Sequence, residues 1–202
     1  MSTASSVIQP QPRLFVELLP RAKLVNVAVV VAFAGALGLS AQVQIPLGFT
    51  PVPLTLQTLV VLGGAAALGS WRAFLGSAIY LALGLVGVPW FAGGSGGLQV
   101  AHAPTFGYLV GFLAAAVVVG YLASRGFDRT FLGMGIAMIV GNLVIYSFGV
   151  LWLAASLQVS LVHALSLGVV PFLIGDVIKI AVADLSFPLA WKAYSHRSSE
   201  RS

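Results

Sequence analysis

The sequence predicts an all-α, polytopic integral membrane protein with six transmembrane helices and both termini cytoplasmic. Composition is the first reason: 59% of the 202 residues are hydrophobic and 7% are charged, where a soluble domain carries about 25% charge. Mean hydropathy is +1.02. Segmentation is the second, because apolar runs alternate with clusters of Pro, Gly and charge. The third is the placement of the 10 Lys and Arg residues. All but Lys179 fall in segments that map to one side of such a bundle, which by the positive-inside rule is the cytoplasmic side. The net charge of +5 is therefore explained by topology, without a nucleic-acid partner.

Residues 1–22 read as a mobile, basic N-terminal segment, residues 23–194 as the membrane domain and residues 195–202 as a polar tail. The first apolar run, Leu24 to Leu39, follows Arg21 and Lys23 and precedes the small pair Ser40-Ala41, so it resembles a cleavable signal. It is taken as a retained helix because the later apolar segments already make the protein polytopic. Pro46, Gly48, Pro51 and Pro53 predict a structured loop over 41–54, and helix two follows from Thr55 to Gly69. Trp71 and Arg72 mark its inner end. Ala73 to Val88 reads as helix three and stops at Pro89, leading into a long irregular stretch over 89–106 rich in glycine.

Helix four is expected over Gly107 to Ala123, a charged turn over Arg125 to Arg129, and helix five over Phe131 to Ala154. Residues 155–169 are assigned to a short outer segment. Helix six covers roughly 170–192, with Pro188 bending its last turns. The basic residues then lie at Arg13, Arg21, Lys23, Arg72, Arg125, Arg129, Lys192, Arg197 and Arg201, leaving loops 41–54, 89–106 and 155–169 without Lys or Arg and facing outward. Several runs are shorter than the roughly 20 residues that cross a bilayer, so they recruit flanking residues or sit in a thinned membrane.

Against this background Asp176 and Lys179 stand out, since a charge at the centre of a membrane helix costs roughly 2.5–3.5 kcal/mol on insertion scales. Their spacing of three puts them on one helix face, where they pair or present a joint polar patch. A neutralised structural pair is the plainer alternative. Asp184, eight residues on, faces away and is assigned a structural or partner-facing role. The loop Phe91-Ala92-Gly93-Gly94-Ser95-Gly96-Gly97 lets backbone approach a ligand or lets a lid move. Gly93 to Gly96 also fits a Gly-x-Ser-Gly nucleophile pattern of intramembrane serine proteases, with His163 or His102 as the base; Ser95 in mid-loop argues against it. Ala28, Ala32 and Ala36 recur every four residues and give helix one a smooth stripe for packing or for docking another membrane subunit; Gly107, Gly111 and Ala115 share the spacing.

The chain has no cysteine, and its three histidines are scattered, so neither a metal centre nor a cofactor is expected. No phosphate-binding loop and no His-Glu-x-x-His occur, and the helices show no obvious repeat of halves. The chain is not read as an enzyme. Uphill transport would take its energy from another protein.

Taken together, Thr50-Pro51-Val52-Pro53-Leu54-Thr55-Leu56-Gln57-Thr58, the loop Phe91 to Gly97, Pro104-Thr105-Phe106-Gly107-Tyr108-Leu109, Asn142 with Tyr146, and Gly175-Asp176-Val177-Ile178-Lys179 resemble the BioY family. These are biotin-specific S components of energy-coupling factor (ECF) transporters. The resemblance implies a six-helix bundle in a prokaryotic cytoplasmic membrane that binds biotin from outside. It also implies association with a transmembrane coupling subunit and cytosolic ABC-type ATPases, with Ala28, Ala32 and Ala36 as the docking surface. An S component for another vitamin is the nearest alternative.

Set against the chemistry of biotin, Asp176 can accept ureido N–H bonds, Asn142 and Gln57 can donate or accept, and Lys179 either pairs with Asp176 or meets an anionic oxygen, so both orientations of the ligand stay open. Trp90, Phe91, Phe106, Tyr108 and Tyr146 line the apolar part, and amides of Gly93, Gly94, Gly96 and Gly97 supplement the polar contacts. Where the family usually has Gly-Pro-Thr-Gly-Gly-Tyr, this chain has Ala103-Pro104-Thr105-Phe106-Gly107-Tyr108.

Overall fold

The computed structural model describes residues 13–20 and 22–199, so residues 1–12, Arg21 and residues 200–202, Arg201 among them, lie outside the described residues. The main helices are α1 (Lys23–Gln42), α2 (Gln57–Leu68), α3 (Ser70–Val86), α4 (Phe106–Ser124), α5 (Phe131–Leu157) and α7 (Leu173–Ser199). A shorter α6 (Leu161–Gly168) lies in the segment before α7. Among the described residues, four apolar helical stretches are long enough to cross a membrane: α1, α4, α5 and the stretch from Leu161 to His196. The other two are shorter; α2, with 12 residues, covers only about 18 Å at 1.5 Å per residue.

Helix α4 is the centre of the bundle, touching α2, α3 and α5, while α1 packs on α3 and α7 on α5 and α2. Glycine makes the close approaches possible. A Cβ at Gly111 would come within 3.0 Å of Ile145 backbone on α5, and one at Gly120 within 2.2 Å of the Ser70 amide. The Gly107, Gly111, Ala115 row is thus spent on packing inside the chain. The alanine row of α1 has the opposite fate: Ala28 and Ala32 are exposed and Ala36 half-buried, whereas Val30, Phe33, Ala34, Leu37 and Ala41 turn inward.

The loop between α1 and α2 is built on a short antiparallel pair, β1 (Gln44–Ile45) with β2 (Leu54–Thr55), in which Gln44 faces Thr55 and Ile45 faces Leu54. Prolines at 46, 51 and 53 keep the intervening residues from extending either helix. Two expectations are corrected. Residues 13–20, read as part of a mobile segment, form a 3₁₀ turn (Phe15–Leu18) with Leu14 and Val16 buried. Phe15 stacks on Trp191 at 4.3 Å and meets Phe187 edge-on at 5.6 Å, so the apolar cluster Leu14-Phe15-Val16 anchors the turn to α7. The final helix also runs to Ser199 instead of ending near 192, with Pro188 inside it.

Asp128, between α4 and α5, is 0% exposed and accepts a hydrogen bond from the Trp191 indole, while its other oxygen has no partner among the described residues. Burial holds its carboxyl above the usual carboxylate range, with the Trp191 bond, its own amide and the Arg129 charge pulling the other way. A carboxyl that holds its proton more tightly in the fold than in the unfolded chain weakens the fold once it ionises. Asp128→Asn keeps an acceptor for Trp191 and removes the charge. Its melting temperature is therefore expected to exceed that of wild type near neutral pH, with the gap closing as pH falls through the raised pKa. Thermal unfolding of the two proteins across pH checks this; a gap that widens toward acid would contradict it.

Candidate functional site

Helices α2, α4, α5 and α7 and the loops before α2 and α4 enclose a cavity of about 360 Å³. That is within the usual range for a small-molecule site. Its walls are largely apolar, formed by Val52, Leu54, Phe91, Leu109, Phe112, Ile145 and Phe172. Polar groups enter mainly from Gln57 and Thr58 on α2, Tyr108 on α4, Tyr146 on α5, and Asp176 and Lys179 on α7.

The charged pair is built by α7. Asp176 lies in the first turn of that helix, where the partial positive charge of the N-terminus favours a carboxylate. It is 5% exposed and Lys179 7%. The Lys179 ammonium is 3.7 Å from Asp176 Oδ1 and donates to Thr58 Oγ1 at 2.8 Å, while the Tyr146 hydroxyl donates to Asp176 Oδ2. Each ion therefore has its opposite charge and one neutral partner, the arrangement that lets buried charges persist. Side by side they display an acceptor and a donor on a surface of no net charge.

The surrounding wall is held in place by tight packing. Tyr108 donates to the Gly168 carbonyl at 2.9 Å and stands edge-on to Tyr146. Its ring fills space that a Cβ at Gly149 would occupy, 2.4 Å away. Gln57 is buried and donates to the Tyr80 hydroxyl at 2.9 Å. Phe91 lies on Gly84, where a Cβ would sit 2.0 Å from its ring, and edge-on to Tyr80. The loop carrying Phe91 is closed by the Phe91–Ser95 bridge and by Gly97 donating to the Gly84 carbonyl at 2.7 Å.

Of the residues expected at the site, Asp176, Lys179, Gln57, Tyr108, Tyr146 and Phe91 reach the cavity wall. Trp90, Phe106, Asn142, Gly93, Gly94, Gly96 and Gly97 stand off it. Trp90 rides on Gly38 and donates to the Tyr80 carbonyl at 3.0 Å. Phe106 meets the Trp152 ring edge-on, and Trp152 in turn donates to the Ala103 carbonyl at 3.0 Å, so both departures from the family motif share one partner. Asn142 is buried one turn from Tyr146, with no partner for its Oδ1 among the described residues. Gly93 and Gly94 form a turn at positive φ, Gly97 also has positive φ, and Gly96 is pressed against the Val88 carbonyl. Ser95, the nucleophile of the protease alternative, donates its hydroxyl back to the Ala92 carbonyl and begins no helix.

Sequence reasoning missed Thr58, Tyr80 and Gln42. The Gln42 side-chain amide donates to the carbonyls of Trp90 and Phe91 at 3.0 and 3.1 Å and to that of Gly38 at 3.2 Å. It ties the end of α1 to the loop that forms the cavity wall. Polar residues near helix ends are common, and only its position opposite the loop distinguishes this one.

The model of the BioY family matches residues 14–196. Among curated proteins the chain is similar to the biotin transporter BioY of Rhizobium etli, 39% identical over 169 residues, covering 80% of this chain and 89% of that protein. It is also similar to the biotin transporter BioY of Thermotoga maritima, 40% identical over 154 residues, covering 76% and 88%. Biotin transporter BioY2 of Lactococcus lactis is 34% identical over 177 residues, covering 86% and 94%. Among solved structures, the S-component for biotin from an ECF-type ABC transporter superposes with a TM-score of 0.76 over 84% of this chain and 92% of that one. At 23% identity this last likeness speaks to the fold alone.

Proposed function

Because the chain belongs to the BioY family, whose model spans residues 14–196, we propose that it is the biotin-binding subunit of an ECF-type transporter and takes up biotin across the membrane. It is a transport component, not an enzyme. The observation that carries this reading is the buried Asp176–Lys179 pair facing a mostly apolar cavity. Biotin offers a ureido ring with two N–H donors and one carbonyl acceptor, an apolar ring and chain, and a carboxylate. The adjacent Asp176 acceptor and Lys179 donor complement the neutral ureido edge, whereas a carboxylate placed there would meet Asp176. The apolar ring and chain then lie along Phe112, Ile145 and Phe91, and the carboxylate turns toward Gln99, Ser95 and Thr105 under the loops. Nanomolar affinity needs about 12 kcal/mol, which over roughly 16 non-hydrogen atoms is about 0.8 kcal/mol each, below the ceiling for small ligands.

In this reading six helices span a prokaryotic cytoplasmic membrane with both termini inside, residues 23–194 form the membrane domain, and the cavity opens outward. A transmembrane coupling subunit seats on Ala28, Ala32 and Ala36 of α1, and cytosolic ABC-type ATPases supply the energy. The exposure of Ala28 and Ala32 supports that surface. Uptake of labelled biotin by cells expressing this chain with and without coupling subunit and ATPases tests the assignment. ATP-dependent accumulation only in their company is expected; equal accumulation without them would make the chain a self-sufficient transporter.

The Gln42 tether gives a further expected result. Gln42→Ala removes the bonds to the Trp90 and Phe91 carbonyls and frees the wall-forming loop. At about 0.5–1.5 kcal/mol for a hydrogen bond, biotin should dissociate roughly two- to tenfold faster, with association little changed. Stopped-flow kinetics separates the two rates. An unchanged dissociation rate would show that the tether does not hold the wall.

A further inference from the structure

The cavity that holds the charged pair has a second end of different character. Asp176 and Lys179 are buried, whereas Ser95 and Gln99, which line the same cavity, are exposed to solvent, and Ala103 and Thr105 are half-buried. The cavity is therefore closed at the pair and open to solvent at the loop before α4. Among the described residues, no charged side chain besides Asp176 and Lys179 lines it. The loops 41–54, 89–106 and 155–169 contain no Lys, Arg, Asp or Glu, and the exposed His102 is not on the wall. The ends of the described chain are distant from this mouth. Helix α1 runs about 28 Å from Lys23 to Gln42, which is bonded to the loop, and α7 runs about 35 Å from Asp176 to Ser199, at 1.5 Å per residue.

The polar groups at the mouth are neutral, and some of their hydrogens are already committed. Ser95 donates its hydroxyl to the Ala92 carbonyl, so toward a ligand its oxygen only accepts. Gln99 donates one amide hydrogen to the Gly96 carbonyl, which leaves its carbonyl oxygen and one N–H. The Thr105 hydroxyl donates or accepts. A carboxylate, which only accepts, finds no use for the Ser95 oxygen; a carboxamide donates as well as accepts and matches all three. The negative charge does little to restore the balance, because charged groups at a solvent-exposed rim contribute little to binding. We propose, resting on the reading that biotin binds with its ureido ring at Asp176 and Lys179, that the chain also captures uncharged amides of biotin, in which the carboxylate is joined to an amine. The substituent on the amide nitrogen leaves through the mouth between Ser95 and Gln99. The amide with the ε-amino group of lysine therefore belongs to the ligand class together with the primary amide. Peptide-bond hydrolysis around a lysine that carries biotin is the class of reaction that supplies such a compound.

Calorimetric titration of the detergent-purified full chain with biotin, biotin primary amide and Nε-biotinyl-lysine tests this. Both amides are expected to bind within about tenfold of biotin. Tight biotin binding with a loss beyond about tenfold for either amide would overturn the proposal; such a loss is the result of a carboxylate held by Lys179 in the buried end, where an unpaired charge is costly. Failure of biotin and both amides to bind a folded, monodisperse sample would instead remove the biotin reading itself, so the two failures are distinct. Gln99→Glu, at an exposed position, then locates the tail of the ligand. The new carboxylate repels that of biotin and not the amide, so it should weaken biotin about two- to fivefold more than biotin primary amide. An equal effect on the two ligands would show that the tail does not lie at the mouth and would overturn the proposal.

Discussion

Asp176→Asn and Lys179→Ala are each expected to weaken biotin binding by between about a hundredfold and several thousandfold. Each variant loses a charged hydrogen bond to ligand, about 1.5–3 kcal/mol, and when the ligand displaces water from the cavity the charge left behind is desolvated without its partner, which brings the total cost on binding to about 3–5 kcal/mol. Asp176→Asn strands the Lys179 ammonium with Thr58 alone, and Lys179→Ala strands the carboxylate with the Tyr146 hydroxyl. Part of either loss is then a general weakening of the fold. The double variant Asp176→Asn/Lys179→Met separates the two contributions. It removes both charges, lowers the cost of placing α7 in the bilayer, and is expected to melt near wild type while still failing to bind. Equilibrium binding and thermal unfolding on the three variants decide it; a double variant that recovers both stability and affinity would reduce the pair to a structural role.

Ala32→Leu should leave biotin binding within about twofold of wild type and abolish coupled uptake. Ala32 is exposed on α1, on the side opposite Phe33, Ala34 and Leu37, so a larger side chain there disturbs little inside the chain. A partner helix packed closely on the Ala28, Ala32, Ala36 row has no room for the added atoms, and overpacking of such a contact costs about 1–3 kcal/mol. Co-purification of the coupling subunit, together with biotin titration of the isolated chain, separates docking from capture. Intact assembly would remove α1 as the docking surface, and lost biotin binding would show that Ala32 supports the cavity instead.

The legible parts of the site are those whose residue type is costly where it stands. Asp176 and Lys179 are charges in a membrane helix, and no other pair in the chain is so placed. The helices were legible for a related reason, since apolar runs broken by Pro and Gly leave few choices. What stayed hidden depends on partners distant in sequence. Thr58 meets Lys179 across 121 residues and Gln42 meets Phe91 across 49, and an isolated Thr or Gln carries no local sign of either meeting. The aromatic residues show the same limit. Trp90 and Phe106 are as suitable for a pocket as Phe91, but Gly38 admits the Trp90 ring and Trp152 draws Phe106 away, so only Phe91 reaches the wall. The N-terminal turn was misread because its three apolar residues are too few to signal a docking site until Trp191 and Phe187 are seen opposite them.

Calorimetric titration of the detergent-purified chain with biotin, with thiamine and riboflavin as controls, bears most directly on the central claim. Saturable, tight binding of biotin alone is the result expected from an apolar cavity ending in the Asp176–Lys179 pair. A folded, monodisperse sample that binds thiamine or riboflavin and ignores biotin would contradict it.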